Sequence, residues 1–404
     1  MKQNPIKPSH FFLVSLLGAL SVVSPFSIDM YLPAFGQMAR DFSVPGTTIA
    51  LTISSYFIGM ALGSIVYGPL LDRFGRKKPL YAGLGLFILA SVGCACAPNI
   101  HALIALRFIQ ALGGCVAGVA SLAMVRDFFP VTESARILSR LFLFIALSPL
   151  LAPSIGGMVT LTIGWKAVFL ILAVIVCIIL ALVCFLLPEG HTPDPGISLK
   201  PLPILLEYAA IIKHPRFTTY ALAGAFSFAG LFTYVAGSPL IFMEGFHLSA
   251  HIYSAIFALL AVGFIGGSQL NVALLRRFTS EPLFFHILIL QVVTGLIFMF
   301  GSYAGWYGLT GTLILFFILL ASIGITYPNA AALALAPFSR NAGSASALLG
   351  FLQLGVGALI STGISLSPSQ SSFSIIAIMA ITSCFGLCIL LTGRKAARAS
   401  AETE

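Results

Sequence analysis

Long apolar runs alternate with short polar turns along the whole chain, and this rhythm limits its fold more than any other feature. A helix needs about 20 residues to cross roughly 30 Å of hydrocarbon. Runs of that length cover 11–33, 47–69, 79–97, 101–125, 135–159 and 164–187. Six more cover 216–240, 250–275, 282–302, 305–332, 342–366 and 372–392. Of the 404 residues, 59% are hydrophobic and only 8% charged, against about 25% charged in soluble domains. A water-soluble core could not bury so much apolar surface. The pattern predicts an all-α membrane protein with twelve transmembrane helices. Lys2 and Lys7 before the first run imitate a signal peptide. That run is too long for one and lacks a small-x-small cleavage site, so it is expected to remain as the first span.

The basic residues orient these spans. With the amino terminus inside, eighteen of the twenty-one Lys and Arg lie on the cytoplasmic side, including Arg73, Arg76, Lys77, Lys78, Arg126, Arg276, Arg277 and Arg394. Arg40 and Lys166 fall outside, and Arg107 lies within a span. Such asymmetry is the positive-inside rule, and it places both termini in the cytoplasm. It also accounts for the net charge of +9, so no nucleic-acid partner is implied. The seven cysteines all lie in apolar runs, and neither Cys94/Cys96 nor Cys384/Cys388 has a His or carboxylate at ligand spacing. No metal site is expected. His247 and His251 near Glu244 read as a surface coincidence, no Ser/His/Asp set suggests an enzyme, and no Gly-x4-Gly-Lys-Ser/Thr loop suggests a nucleotide-driven pump.

One long connection divides the chain. "PEGHTPDPGISLKPLP", Pro188 to Pro203, reads as an extended linker, and "ILLEYAAIIKHP" after it as a surface helix on the cytoplasmic face. The expected organisation is a six-helix bundle over 1–187, a cytoplasmic linker over 188–215, a second bundle over 216–392 and a tail over 393–404. "GSIVYGPLLDRF" (63–74) aligns without gaps on "GSQLNVALLRRF" (267–278), with six of twelve positions identical. Both end the second span of their half, as in a parallel internal repeat. Two pseudo-symmetric halves around a central cavity follow.

The segment "GSIVYGPLLDRFGRKKPL" carries the most specific motif: Gly68, Asp72, Arg73, Gly75, Arg76 and Lys77. Gly68 should admit a close helix, Gly75 a tight turn, and Asp72 an ion pair at the cytoplasmic mouth. The spacing resembles the signature after the second helix of the major facilitator superfamily. "LRFIQALGG", with Arg107 and Gln110, resembles the Arg-x-x-Gln-Gly pattern of its proton-driven efflux members, with Ala111 where glycine would follow. In the fifth span Ser139, Ser148, Ala152 and Gly156 are spaced 9, 4 and 4 apart, with Pro153 and Gly157 beside them. This resembles the antiporter signature Gly-x8-Gly-x3-Gly-Pro-x2-Gly-Gly with small residues replacing three glycines. "SIDMYLP" in the first span and "AMVRDFF", with Arg126 and Asp127, resemble the bicyclomycin- and chloramphenicol-resistance type of drug:proton antiporter. "GSPLIFMEGFHLS" (237–249) is a weaker echo in the second half.

Asp29 is the acidic residue that falls securely inside a span. Low dielectric favours a neutral carboxyl, and a nearby arginine favours the ionised one. Asp29, about four residues from the outer end of the first span, and Arg107, about six from the start of the fourth, come out at similar depth. Asp29 and Arg107 are therefore the expected proton and substrate coupling pair, against a structural alternative of a static ion pair or helix cap. Snorkelling to the outer interface is the alternative for Arg107. Tyr31, Tyr56, Gln110, Phe226 and Tyr234, with Phe228, are candidate cavity residues. Gln291, Asn329 and Gln353 fit interhelical bonding as well as ligand contact.

The resemblance implies proton-coupled efflux of small drug-like molecules by alternating access, with no cofactor and with the proton gradient as the energy source. Its expected partners are a small-molecule substrate, protons and the lipid bilayer, with the chain working as a monomer in a bacterial inner membrane. A dedicated exporter of a metabolite or siderophore, or a nutrient importer of the same superfamily, is the alternative.

Overall fold

A computed structural model describes residues 10–129, 131–190, 193, 201–338, 342–366 and 372–402. The described residues form helices joined by short turns. The first span is broken into α1 (His10–Ser21), α2 (Val23–Asp29) and α3 (Phe35–Phe42). Five long helices complete the first half: α4 (Gly46–Phe74), α5 (Lys77–Ala95), α6 (Ile100–Phe128), α7 (Val131–Thr162) and α8 (Trp165–Leu186). After α9 (Pro201–Ile212) come α10 (Pro215–Pro239), α11 (Ala250–Leu274), α12 (Ser280–Tyr303), α13 (Leu309–Leu335), α14 (Ala342–Leu366) and α15 (Ser372–Glu402). Among the described residues ten helices are long and apolar enough to cross a membrane, and eleven spans result when the broken first segment counts as one. Helix α7, whose apolar part is Leu147–Thr162, completes a two-half arrangement of twelve.

These helices are apolar on both sides, as a bilayer solvent requires. In α8, Phe169, Leu172, Val176, Ile179 and Val183 are buried, while Leu170, Val174, Ile178 and Phe185 are exposed. An apolar stripe facing outward would be costly in water and is favourable against lipid. In α9, Leu202, Leu205 and Leu206 are exposed while Tyr208 and Ile211 join the second half's core.

The first span runs further than its hydropathy suggests. It does not end at Pro33: a 3-10 turn at Leu32–Ala34 leads into α3, where Phe35 and Met38 are buried. Pro25 supplies no N–H to the carbonyl of Ser21, and the helix axis bends by 41° at that break. Asp41 consequently lies in the last turn of α3, and Glu244 in a π-helical turn, Leu240–Gly245, that extends α10. Neither belongs to a simple outer loop.

The proposed repeat has a packing counterpart. A Cβ added at Gly63 of α4 would meet the Cβ of Cys115 on α6 at 3.0 Å. One added at Gly267 of α11, the aligned position, would strike the backbone of Ala321 on α13. In both halves the second helix thus presses on the fourth through the same glycine.

Polar and aromatic contacts join the halves away from the basic cluster of Arg73, Arg76, Lys77 and Arg394, and Ile65, further along α4 toward that cluster, packs on the second half's core. Ser54 of α4 bonds Ser361 of α14 at 2.7 Å, and Ser254 of α11 donates to the Pro153 carbonyl of α7 at 2.9 Å. Phe57 packs edge-on against Phe232 with centroids 4.4 Å apart. Gly46, the first residue of α4, lies against the Glu244 carboxylate.

Candidate functional site

Residues 27 and 29 share the short helix α2, and two residues correspond to about 200° of rotation. Ser27 and Asp29 therefore face opposite ways, and the site divides along that line. Asp29 is the buried carboxylate among the described residues, 6% exposed. Ser148 of α7 donates to its Oδ2 at 3.4 Å, a long bond that leaves the carboxyl weakly held. From the second half, Tyr234 and Tyr253 stand within electrostatic reach of it. The Tyr253 hydroxyl pairs with Ser238 at 3.0 Å, whereas the buried Tyr234 hydroxyl has no hydrogen-bond partner. Tyr234 is held flat on Phe257, with centroids 5.3 Å apart and planes 24° apart.

The small-residue stripe of α7 brings this about. A Cβ at Gly156 would collide with the carbonyl of Met30, so only glycine lets α7 lie against the break that follows Asp29. Gly157 approaches Ser254 and Pro33, Ala152 is fully buried, and the Pro153 carbonyl accepts from Ser254. Ser148, Ala152 and Gly156 thus form one floor beneath α2. The side chain of Ser139 lies outside the described residues.

Arg107 occupies the other side of α2, inside the first half. It is fully buried, so it does not snorkel to an interface. Its Nη1 donates to Ser27 at 3.0 Å and to Gln110 Oε1 at 2.6 Å, and Gln110 donates onward to Ser91 at 2.7 Å. Tyr56 and Tyr31 lie 4.2 and 4.3 Å from the guanidinium carbon, and Phe169 5.7 Å. Ring faces attract a cation, more so where water is absent. Arg107 Nε and Nη2 have no partner. Arg107 and Asp29 make no ion pair, so the static-pair alternative is corrected. Depth along the span was similar, but direction around the helix was opposite.

The candidate cavity residues separate accordingly. Tyr31, Tyr56 and Gln110 surround Arg107, and Tyr31 bonds Thr52 at 2.9 Å. Tyr234 belongs with Asp29. Phe226 joins neither group: its ring meets Phe385, itself 55% exposed, with centroids 5.9 Å apart. Phe228 points elsewhere and stacks on Tyr327. The sequence reading did not identify Phe169 or Tyr253, because nothing local marks them as neighbours of the buried charges, and it quoted Ser27 within "SIDMYLP" without giving it a role.

At the basic end Arg76 is a hub. Its Nε meets Asp127 at 2.7 Å and its Nη1 meets Asp72 at 2.8 Å. Burial would lower its pKa, but Asp127 and Asp72 outweigh that and hold it above its ordinary range. The Glu189 carboxylate, unanticipated, accepts from the backbone N–H of Arg76 at 2.8 Å and of Lys77 at 3.3 Å. It thereby satisfies the free donors that begin α5. Gly75 makes the turn at φ +81°. Gly68 faces open space, contrary to its expected close contact, because α4 presses on α6 earlier, at Gly63. Lys77 reaches the Cys184 carbonyl, and Arg73 lies 5.8 Å from the Phe74 ring. The Arg126 side chain lies outside the described residues. Among the described residues no three His, Cys, Asp or Glu converge as a metal site.

Two helical halves, a buried carboxylate where they meet and a charged turn at one end define a membrane transporter. Residues 17–362 match the family model described as Major Facilitator Superfamily, and the chain belongs to that family. It is 31% identical to the "Uncharacterized MFS-type transporter YdgK" of Bacillus subtilis over 96% of both chains. It is 30% identical to the "Bicyclomycin resistance protein homolog" of Haemophilus influenzae, covering 87% of this chain and 88% of that one. It is also 30% identical to the "Multidrug resistance protein MdtL" of Escherichia coli, covering 86% of each. The fold matches a D-xylose-proton symporter with TM-score 0.75 at 15% identity, covering 95% of this chain and 97% of that one.

Proposed function

We propose that the protein exports small drug-like molecules across a bacterial inner membrane in exchange for protons, by alternating access. The observation that carries this reading is Asp29, a buried carboxylate at the junction of the two halves, resting on the Ser148–Gly156 face of α7. A carboxyl in low dielectric binds a proton readily, and a cationic or donor-rich substrate competes for the same oxygens. The relatives named for bicyclomycin and multidrug resistance support drugs as the cargo. Arg107 serves as a fixed charge behind α2 rather than as a direct partner of the carboxylate. The contacts at Ser54–Ser361 and Pro153–Ser254 fit a state sealed at the outer end, if the basic end faces the cytoplasm.

Proton movement in energised inverted vesicles tests the reading. Adding candidate drugs is expected to release protons with the wild-type protein and not with Asp29→Asn at equal insertion. Release by a single metabolite and by no drug would replace the reading with a dedicated exporter. Release that persists in Asp29→Asn would make Asp29 structural.

A further inference from the structure

The second half contains two buried glutamines in opposite circumstances. Gln291 of α12 is fully engaged: Ser227 donates to its Oε1 at 2.7 Å, and its Nε2 donates to the Ser227 carbonyl at 3.1 Å and to Ser383 at 3.0 Å. It ties α10, α12 and α15 together. Gln353 of α14 is 5% exposed, yet its amide nitrogen has no hydrogen-bond partner. A buried amide left unpaired is costly unless a ligand or water completes it.

The surroundings of Gln353 follow from how the helices run. Gly357, one turn beyond Gln353, lies directly against Phe232 of α10. Lower down, Phe217, Tyr220 and Ala221 of α10 share a cluster with Ala345, Leu348 and Leu349 of α14. The two helices therefore rise side by side in the same direction, and Phe228, one turn below Phe232, comes level with Gln353. Phe228 stacks on Tyr327 of α13, centroids 4.4 Å and planes 27° apart, and both rings are partly accessible. Just above, Phe57 and Phe232 close the seam between the halves.

The structure assigns Gln353, Phe228 and Tyr327 as a subsite for a planar ring system that carries a carbonyl acceptor. The stacked rings offer an apolar face suited to another flat π-system, and the free amide N–H supplies the donor that a ring carbonyl needs. This deepens the efflux reading, on which it rests, by naming a substrate class. A site with an unpaired donor penalises a ligand that cannot accept from it.

Purified protein in lipid nanodiscs is titrated with norfloxacin, a fluorescent planar ring system bearing a ring carbonyl, and with ethidium, which has none. Gln353→Met is expected to weaken norfloxacin binding about tenfold, roughly 1.4 kcal/mol, and to leave ethidium binding as tight or tighter, because the unpaired donor is gone. Tyr327→Leu is expected to weaken both. Methionine has similar length and no amide to satisfy, so the variant's thermal midpoint should equal or exceed that of the wild type. Gln353→Leu serves the same purpose if the methionine variant unfolds. Equal norfloxacin affinity in wild type and variant, or no norfloxacin binding to the wild type, overturns the inference. The titration needs no proton gradient, so intact binding without proton-coupled transport would overturn the efflux reading alone.

Discussion

Arg107 and Phe316 are each the eighth residue of the helix that forms the fourth span of their half, counting from Ile100 and Leu309. Arg107 stands among Tyr31, Tyr56 and Phe169, and Phe316 among Tyr234, Phe242 and Phe298. The aromatic cage is thus built twice, around a cation in one half and around a phenyl ring in the other. The difference extends outward. The first half also has the buried Asp29 and the buried Arg76, while the buried polar groups around α10 and α13 are neutral: Gln291, Ser227, Thr326 and the Asn271–Asn329 pair at 2.6 Å. A repeated scaffold can therefore carry its buried charges in one half and neutral polar groups in the other.

The ion pairs at the basic end give the largest expected contrast. Arg76→Ala leaves Asp127, whose side chain is 12% exposed, without its partner. Unfolding in detergent should show a loss of about 3–5 kcal/mol, the usual range for breaking a buried pair. A loss below about 1 kcal/mol would mean that the hub is solvated in practice.

Next comes the contact that supports Asp29. Gly156→Ala pushes a methyl into the Met30 carbonyl, a backbone atom that cannot rotate aside. Overpacking of this type costs about 1–3 kcal/mol, and drug-dependent proton release in vesicles should fall with it. Unchanged stability and release would show that the α2–α7 contact is loose.

Arg107→Phe makes the first half imitate the second. It removes the bonds to Ser27 and Gln110 but leaves no carboxylate unpaired. Two lost hydrogen bonds set a stability cost of about 1–3 kcal/mol, while proton-coupled drug transport should drop at least about tenfold, a barrier of some 1.4 kcal/mol. Full transport with the phenyl ring would erase the functional half of the comparison. The smallest effect is expected at Arg394, whose bond to Glu281 at 3.0 Å lies between side chains 23% and 28% exposed. Arg394→Ala should cost less than about 1 kcal/mol in the same unfolding assay.

Hydropathy and the Lys/Arg asymmetry suffice to read the spans, because length and charge are local properties of each run. The 3-10 turn at Leu32–Ala34 was not legible: Pro33 looks like an end, and only the burial of Phe35 and Met38 shows that the span continues. Asp29 and Arg107 were visible as charges in apolar runs, and their depth could be counted. Their separation depended on rotation about α2, set by the bend before it and by α7 packing on Met30. Glu189 at the start of α5 was out of reach because it is 113 residues from Arg76 in the chain. Asp72 and Arg76 were easier, one helical turn apart in a recognisable spacing.

In the proposed function, proton and substrate exchange at the Asp29 carboxyl. Purified protein in weakly buffered detergent, with no membrane and no gradient, isolates that step: drug is added and the pH of the solution is followed. Proton release by the wild type that is absent in Asp29→Asn, while the variant remains folded, is the predicted result. Equal release from Asp29→Asn would contradict the account and move the exchange to another group.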